Sequence, residues 1–267
     1  MSDHPVQYEQ GVYVGMKMRE HLLGPVITSE TVFTPHLSSE WHYHANPHFS
    51  HILSGGSKEM RKGSSEIQAA GTGLYYYPGI AHRNVDYRTG TRIFNLELGE
   101  GFFREFGLAL PPASLMFARN NRLNTGGLLR IMKEHYLHDA DSPVAITQLC
   151  INLVQAHGRE EKCCPEWAEK IKTVIHDQWN QPLSLATLSA QLDIHPVTIS
   201  KYFPRYFGCS LGEYLRRIKV ERALALVRST RQSLTGIAYE CGFTDQAHFT
   251  KTFRHITGLL PKHYRNI

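Results

Sequence analysis

The sequence lacks several features that would place a protein in a class at once. No apolar run approaches the roughly 18 residues of a membrane-spanning helix, and the start, MSDHPVQYEQ, lacks the basic-then-apolar order of a secretory signal. Cysteine is scarce. The five cysteines form neither a disulfide framework nor paired C-x-x-C metal knuckles; they are Cys150, Cys163, Cys164, Cys209 and Cys241. These absences predict a cytoplasmic protein without a membrane segment.

Acidic residues are few toward the C-terminus. Residues 182–267 carry 12 Lys and Arg against 5 Asp and Glu, whereas the rest of the chain carries 17 against 19. The 267 residues are 42% hydrophobic and 20% charged, which is typical of a soluble globular protein long enough for two domains. Because the C-terminal third is basic and the rest of the chain is nearly neutral, we expect the C-terminal third to bind a polyanion.

The front of the chain, residues 25–100, shows the pattern of many short strands. Runs such as Gly73–Tyr77 and Arg92–Leu98 mix β-branched and aromatic residues. Turn signals recur between the runs, at Asn46-Pro47, Gly55-Gly56, Lys62-Gly63, Pro78-Gly79 and Thr89-Gly90. Strands at this spacing favour a β-barrel or a double-sheet jelly roll.

Helical periodicity begins after Pro111-Pro112. Residues Asn124–Asp139 and Pro143–His157 repeat apolar side chains at helical spacing and predict an αα-hairpin. The hairpin is expected to link the two domains or to form a dimer interface. The polar segment Gly158–Cys164 is the expected hinge, and a further helix is predicted from Pro165 through Trp179.

One pattern occurs twice, about fifty residues apart. The copies read LSLATLSAQLDIHPVTISKYFPRYFG (183–208) and QSLTGIAYECGFTDQAHFTKTFRHITG (232–258). In each copy a short amphipathic helix leads through a tight turn, at Asp193 or Gly242, where a left-handed backbone conformation is expected. A second helix follows and stops at a glycine, Gly208 or Gly258, as a C-cap. A helix pair of this kind fits one DNA major groove, so two pairs predict contact with two successive grooves.

The second helix of each copy turns a polar, cationic face outward once its apolar anchors are placed inside. Lysine can donate to guanine, glutamine can pair with adenine, and an apolar side chain can meet a thymine methyl. The predicted DNA-binding residues are Val197, Thr198, Ser200, Lys201, Arg205, Gln246, Ala247, His248, Lys251 and Arg254.

This part of the chain resembles the AraC/XylS family of bacterial transcription regulators. The likeness is carried by GIAYECGFTDQAHFTKTFRHITGLLPKHYRN (236–266) and by residues 185–227. The chain departs from the family pattern in having Ser189 for an alanine, Asp193 for a glycine, and Lys201 and Lys251 for arginines. Since lysine lacks the bidentate fork of arginine, guanine recognition would be softer at those two positions. The resemblance implies base contacts from Val197, Ser200, Lys201, Gln246, Ala247, His248 and Lys251.

A histidine-rich region precedes the helices. His42 and His44 flank one residue, so a strand would turn both to the same side, and His48 and His82 follow. Imidazoles that converge in this way suit zinc, iron, nickel or copper. Aromatic residues nearby could supply apolar walls of the same pocket: Trp41, Phe49, Tyr75, Tyr76 and Tyr77.

These segments, WHYHANPHFSHILSGG (41–56) and GLYYYPGIAH (73–82), resemble cupin motifs. His48 stands where a cupin metal site usually has glutamate. Three interpretations stay open: a pocket that binds a small effector without metal, an effector or sensor site that contains a divalent transition metal, and histidines with a structural role.

The sequence therefore predicts an α+β multidomain protein. A cupin-like effector-binding barrel (1–110) is joined by a helical hairpin (111–163) to an all-α domain (164–267) with helix-turn-helix units at 185–208 and 234–258. The expected function is regulation of transcription rather than catalysis. The expected partners are double-stranded DNA through two adjacent major grooves, a small effector, a second copy in a homodimer and, for an activator, RNA polymerase. A metal-dependent cupin enzyme with a DNA-binding tail is the alternative.

Overall fold

The computed structural model describes residues 5–117, 123, 125–157 and 165–267. Within these residues the front of the chain forms two five-stranded sheets. The first sheet has the order β1-β4-β9-β6-β7 and the second β2-β3-β10-β5-β8. The strands are β1 (Val6–Tyr8), β2 (Met16–Leu23), β3 (Val26–Phe33), β4 (His42–His44), β5 (His48–Ser54), β6 (Gly56–Arg61), β7 (Ser64–Ala69), β8 (Gly73–Tyr76), β9 (His82–Val85) and β10 (Thr91–Leu98).

The two sheets face each other across a shared interior, to which both contribute side chains. They remain separate ladders over the described residues. The double-sheet form of the prediction therefore holds, and the described strands do not close into one barrel. The face of the second sheet that points away from the first sheet packs against helices. Phe49 and Leu53 of β5 are fully buried there.

Eleven helical segments follow the sheets among the described residues. They are α1 (Glu100–Phe106), a 3-10 turn (Ala113–Phe117), α2 (Thr125–Leu137), α3 (Ser142–His157), α4 (Glu166–Asp177), α5 (Leu185–Leu192), α6 (Pro196–Phe207), α7 (Leu211–Ser229), α8 (Leu234–Glu240), α9 (Gln246–Thr257) and α10 (Pro261–Asn266). Helix α4 ends two residues before the predicted end at Trp179. The predicted hinge, Gly158–Cys164, lies outside the described residues. Within the described residues, no helix is long and apolar enough to cross a membrane.

The apolar interior divides into two main cores, and the division does not follow the repeat. One core joins the outer face of the second sheet, the α2–α3 hairpin and helices α7 to α10. The other is smaller and belongs to α4, α5, α6 and the start of α7. The second helix pair is therefore packed into the front half of the molecule, whereas the first has its own core.

Candidate nucleic-acid interface and histidine cluster

The first helix pair is organised by local caps. The Ser184 hydroxyl accepts from the Thr187 amide while the Thr187 side chain accepts from the Ser184 amide, which caps the start of α5. Asp193 takes the left-handed conformation in the turn, at φ 52°. Pro196 then occupies the first turn of α6, where its missing N–H is not needed. These features confirm the predicted turn.

The second helix pair forms the same turn with different capping residues. Ser233 caps α8 by accepting from the Gly236 amide, and Asp245 caps α9 by accepting from the His248 amide at 2.7 Å. Gly242 has φ +70°, and a Cβ there would lie 2.5 Å from the Asn180 carbonyl oxygen. This turn therefore requires glycine for its space as well as for its backbone conformation.

The aligned apolar anchors point inward in both pairs. Ile199 and Phe203 of α6 and Phe249 and Phe253 of α9 are fully buried. Since those anchors fix the rotation of each helix, the opposite side faces solvent. The residues predicted to contact DNA are exposed, except for half-buried Thr198; they are Val197, Ser200, Lys201, Arg205, Gln246, Ala247, His248, Lys251 and Arg254.

Two of these side chains are held by neighbouring hydroxyls. The Thr235 hydroxyl of α8 donates to Gln246 Oε1 at 2.6 Å. The Thr244 hydroxyl lies 3.1 Å from His248 Nδ1. Pre-ordered side chains lose less conformational entropy on binding, so the N-terminal end of α9 presents a defined surface.

The four predicted histidines converge in the interior between the sheets. Strands β4 and β9 pair His42 with His82, and His48 begins β5 in the facing sheet. Ligand nitrogens of His42, His44 and His82 all lie within 4.8 Å of one another. The His48 ring lies 4.0 Å from the His44 ring, centroid to centroid. All four side chains are buried.

Hydrogen bonds orient two of the rings. His42 Nδ1 lies 2.8 Å from the Glu40 carbonyl and His82 Nδ1 lies 3.3 Å from the Ile80 carbonyl. A carbonyl can only accept, so each Nδ1 carries the proton and each Nε2 keeps a lone pair, which is the state that metal-binding imidazoles adopt. The donor set fits a transition metal such as zinc, nickel or copper rather than calcium or magnesium.

Burial is the main cause of lowered pKa values across the cluster. The pKa of His44 falls to about 3, and those of His48 and His82 lie well below the usual value, with neighbouring imidazoles adding to the effect. The pKa of His42 is also lowered. The four imidazoles are therefore neutral near pH 7, which suits metal ligation and offers no positive charge to an anion.

The enclosed space is small, about 40 Å³. A water molecule needs roughly 10–15 Å³ on this measure, whereas drug-sized ligands occupy about 300–1,000 Å³. In this conformation the cavity accommodates an ion with a water, or a ligand of few heavy atoms.

The aromatic lining differs from the prediction. Only Tyr76 of the five predicted residues lines the cavity, where it stacks on His48 with ring centroids 4.3 Å apart. Phe49 and Tyr75 project from the opposite face of their strands into the helix-covered core. The prediction was wrong here because neighbouring residues of a strand face opposite sides. Sequence reasoning also missed further lining residues. Ser50 and Asn84 follow His48 and His82 on the same strands, where alternation could have indicated them, and the others come from distant strands and loops: Tyr8, Tyr13, Ser57, Tyr87 and Asn95.

Comparisons with known proteins agree with the C-terminal geometry. Residues 188–267 match the model of a helix-turn-helix domain family. An uncharacterised HTH-type transcriptional regulator of Staphylococcus aureus is 26% identical over 147 residues, which are 52% of this chain and 20% of that protein. The HTH-type transcriptional regulator GbdR of Pseudomonas aeruginosa is 26% identical over 97 residues, 36% of this chain and 26% of that protein. The chain thus spans about a quarter or less of these relatives' lengths.

Among solved structures, ToxT of Vibrio cholerae O395 aligns with 91% of this chain and 97% of its own, at 12% identity and a TM-score of 0.38. The two helix pairs and the family match define a helix-turn-helix domain in this part of the chain. The relatives named above are HTH-type transcriptional regulators by name.

Proposed function

We propose that the protein is a sequence-specific transcription regulator that places α6 and α9 in two successive major grooves of DNA. The observation that carries this proposal is the duplicated geometry. Each helix buries two apolar anchors and exposes short polar side chains with Lys201 or Lys251 among them. Helix α7 joins the pairs, so one chain can engage both grooves. The excess of basic over acidic residues beyond position 182 favours the same partner.

Eight of the ten residues named above can be assigned to base edges, to backbone phosphates or to either. Val197, Ser200, Gln246 and Ala247 are suited to base edges, because they offer small apolar groups, a hydroxyl and an amide. Arg205 and Arg254 lie nearer the C-terminal ends of α6 and α9 and are suited to backbone phosphates. Lys201 and Lys251 can serve either purpose.

Selection of bound duplexes from a random DNA pool tests this proposal. Wild-type protein is expected to enrich a motif of two short boxes about ten base pairs apart. The Lys201→Ala/Lys251→Ala variant should lose the motif. The Lys58→Ala/Lys62→Ala variant removes the same charge from an exposed hairpin of the front half and should keep it. Failure of the wild type to enrich any motif at moderate salt, with or without metal, would contradict the proposal.

The front half is proposed to bind a small effector at the histidine cluster, with a divalent transition metal held by His42, His44 and His82 and by His48 across the cavity. Bound there, the metal would supply a Lewis-acidic centre for a ligand of few atoms. The anchored Nδ1 atoms of His42 and His82, the neutral imidazoles and the small cavity support this assignment over a large apolar effector.

Strand β5 connects this cavity with helices of the DNA-binding part. His48, Ser50 and Ile52 line the cavity from one face of the strand. On the other face His51 Nε2 lies 2.7 Å from the Tyr264 hydroxyl of α10, and Arg228 of α7 donates to the Leu53 carbonyl. A ligand that shifts β5 would therefore shift α7 and α10, which pack against the second helix pair.

Titration with zinc or nickel, with and without the selected duplex, tests the coupling. The metal should change DNA affinity, and DNA should change metal affinity by the same factor, because coupling is reciprocal. The His42→Ala/His82→Ala variant should bind DNA and lose the metal response. Equal metal affinity with and without DNA would contradict the coupling.

A homodimer formed through the α2–α3 hairpin, and contact of an activator with RNA polymerase, remain part of the proposal.

A further inference from the structure

The exposed side of α9 lines an open groove of about 1120 Å³, and several of the lining side chains carry positive charge. Lys251 and Arg254 come from α9 itself. Two further arginines come from other helices: Arg216 from α7 and Arg130 from α2. The described residues that line the groove include no aspartate or glutamate. Such a groove is an anion site by its charge.

Arg130 belongs to the hairpin of the front half rather than to either helix pair. Its Nε donates to the Ile256 carbonyl at 3.2 Å and its Nη2 donates to the His255 carbonyl, at the C-terminal end of α9. The side chain is nevertheless exposed. A guanidinium has five N–H donors, and these two bonds use two of them.

The close approach of α2 to α9 is built into the backbone. A Cβ on Gly126, one turn before Arg130, would lie 2.9 Å from the Ile256 carbonyl oxygen. A Cβ on Gly258, which ends α9, would lie 3.3 Å from Arg130 Cγ. Glycine at both positions therefore lets the two helices meet, and the meeting places Arg130 beside the DNA-facing side of α9.

A recognition helix in a major groove is bordered by phosphate backbones, because the groove is only about 12 Å wide. Cations beside the ends of the helix then meet phosphates rather than bases. We infer that Arg130 binds a backbone phosphate next to the groove that α9 enters, so that the front half of the protein takes part directly in DNA binding. The inference rests on the proposed function.

This contact would tie DNA to the ligand-binding half. Five residues after Arg130 along α2, His135 Nδ1 lies 2.8 Å from the Thr28 hydroxyl of β3. Helix α2 thus spans the distance from the DNA-facing groove to the second sheet. A phosphate held by Arg130 would constrain the sheet that carries His48, which adds a second path to that through β5.

The salt dependence of DNA binding distinguishes a phosphate contact of Arg130 from a purely structural contact between α2 and α9. The probe is the selected duplex of about 30 base pairs, titrated between about 0.05 and 0.3 M salt. Arg130→Gln removes the charge but keeps an amide that can donate to the α9 carbonyls. Arg104→Gln is the matched control, since Arg104 is also exposed, lies on α1, and pairs among the described residues with Glu100 of the same helix.

Arg130→Gln should reduce the slope of log affinity against log salt by about 0.9 and weaken binding about eightfold at 0.1 M salt. Arg130→Lys should restore most of the slope, and Arg104→Gln should behave as wild type. Weaker binding by Arg130→Gln with an unchanged slope, or no change at all, would overturn the inference while leaving the proposed function intact. A wild type that binds no duplex would overturn both.

Discussion

Gly71 tests whether the DNA-binding half is docked on the front half as the structure describes. Gly71 lies in the turn between β7 and β8 at φ +87°. A Cβ there would lie 2.5 Å from the backbone nitrogen of Ala225 and 2.7 Å from its Cα, both in α7. Backbone atoms in a helix cannot move aside as a flexible side chain can, so Gly71→Ala must displace α7.

Gly63 provides the matched control. It also has a positive φ, +81°, in the turn between β6 and β7, but a Cβ there would meet nothing within 4 Å. Gly63→Ala should therefore cost only the backbone strain of about 1–2 kcal/mol. Gly71→Ala should cost the same strain plus about 1–3 kcal/mol for overpacking.

Urea unfolding of the two variants measures the difference, and hydrogen exchange shows where it falls. The free energy of unfolding should drop further for Gly71→Ala, and amides of α7 and β5 should exchange faster in that variant alone. DNA affinity should fall with Gly71→Ala, because α7 joins the helix pairs. Equal unfolding midpoints and equal exchange in the two variants would refute the docked arrangement.

Three further predictions concern stability and the first helix pair. Burial lowers the pKa of His51 and His135 to about 3. The unfolded chain therefore takes up protons near pH 6.5 that these two folded-state imidazoles do not bind. Together they should lower the free energy of unfolding by about 3 kcal/mol for each pH unit below 6.5, in addition to the contribution of the histidines in the cavity. His51→Gln should reduce the pH slope of the free energy of unfolding by about 1.4 kcal/mol per pH unit in denaturation measurements, and an unchanged slope would contradict the burial argument. Phe203→Ala should lower the free energy of unfolding by about 3–5 kcal/mol and speed amide hydrogen exchange in the first helix pair only. Equally faster exchange in α9 would contradict the two separate cores. Asp193→Gly should raise the melting temperature, because glycine removes the backbone strain of a non-glycine residue in the left-handed conformation, about 1 kcal/mol. A lower melting temperature would show that the Asp193 side chain stabilises the fold by more than that strain.

The helix pairs could be predicted closely because their determinants are local. Apolar spacing set the buried faces, and Asp193, Gly208, Gly242 and Gly258 adopt the left-handed turns that their positions required. The convergence of the histidines was also predictable in part, since His42 and His44 share a strand face and His82 follows a Pro-Gly turn.

Other features depend on contacts between distant segments, which leave no local pattern. The sheet and the second helix pair share one core whose members include Phe49 and Tyr264, which are more than 200 positions apart in the sequence. The lining residues Tyr13 and Asn95 are brought to the cavity by sheet register. Arg130 reaches α9 only because two glycines allow the helices to touch.

The central claim is that one chain reads two successive major grooves through α6 and α9. Hydroxyl-radical footprinting on the selected duplex tests it most directly. The account predicts two protected segments about ten base pairs apart on one face of the DNA, with Lys201→Ala weakening one segment and Lys251→Ala the other. A single protected segment, or uniform protection that both variants weaken equally, would contradict it.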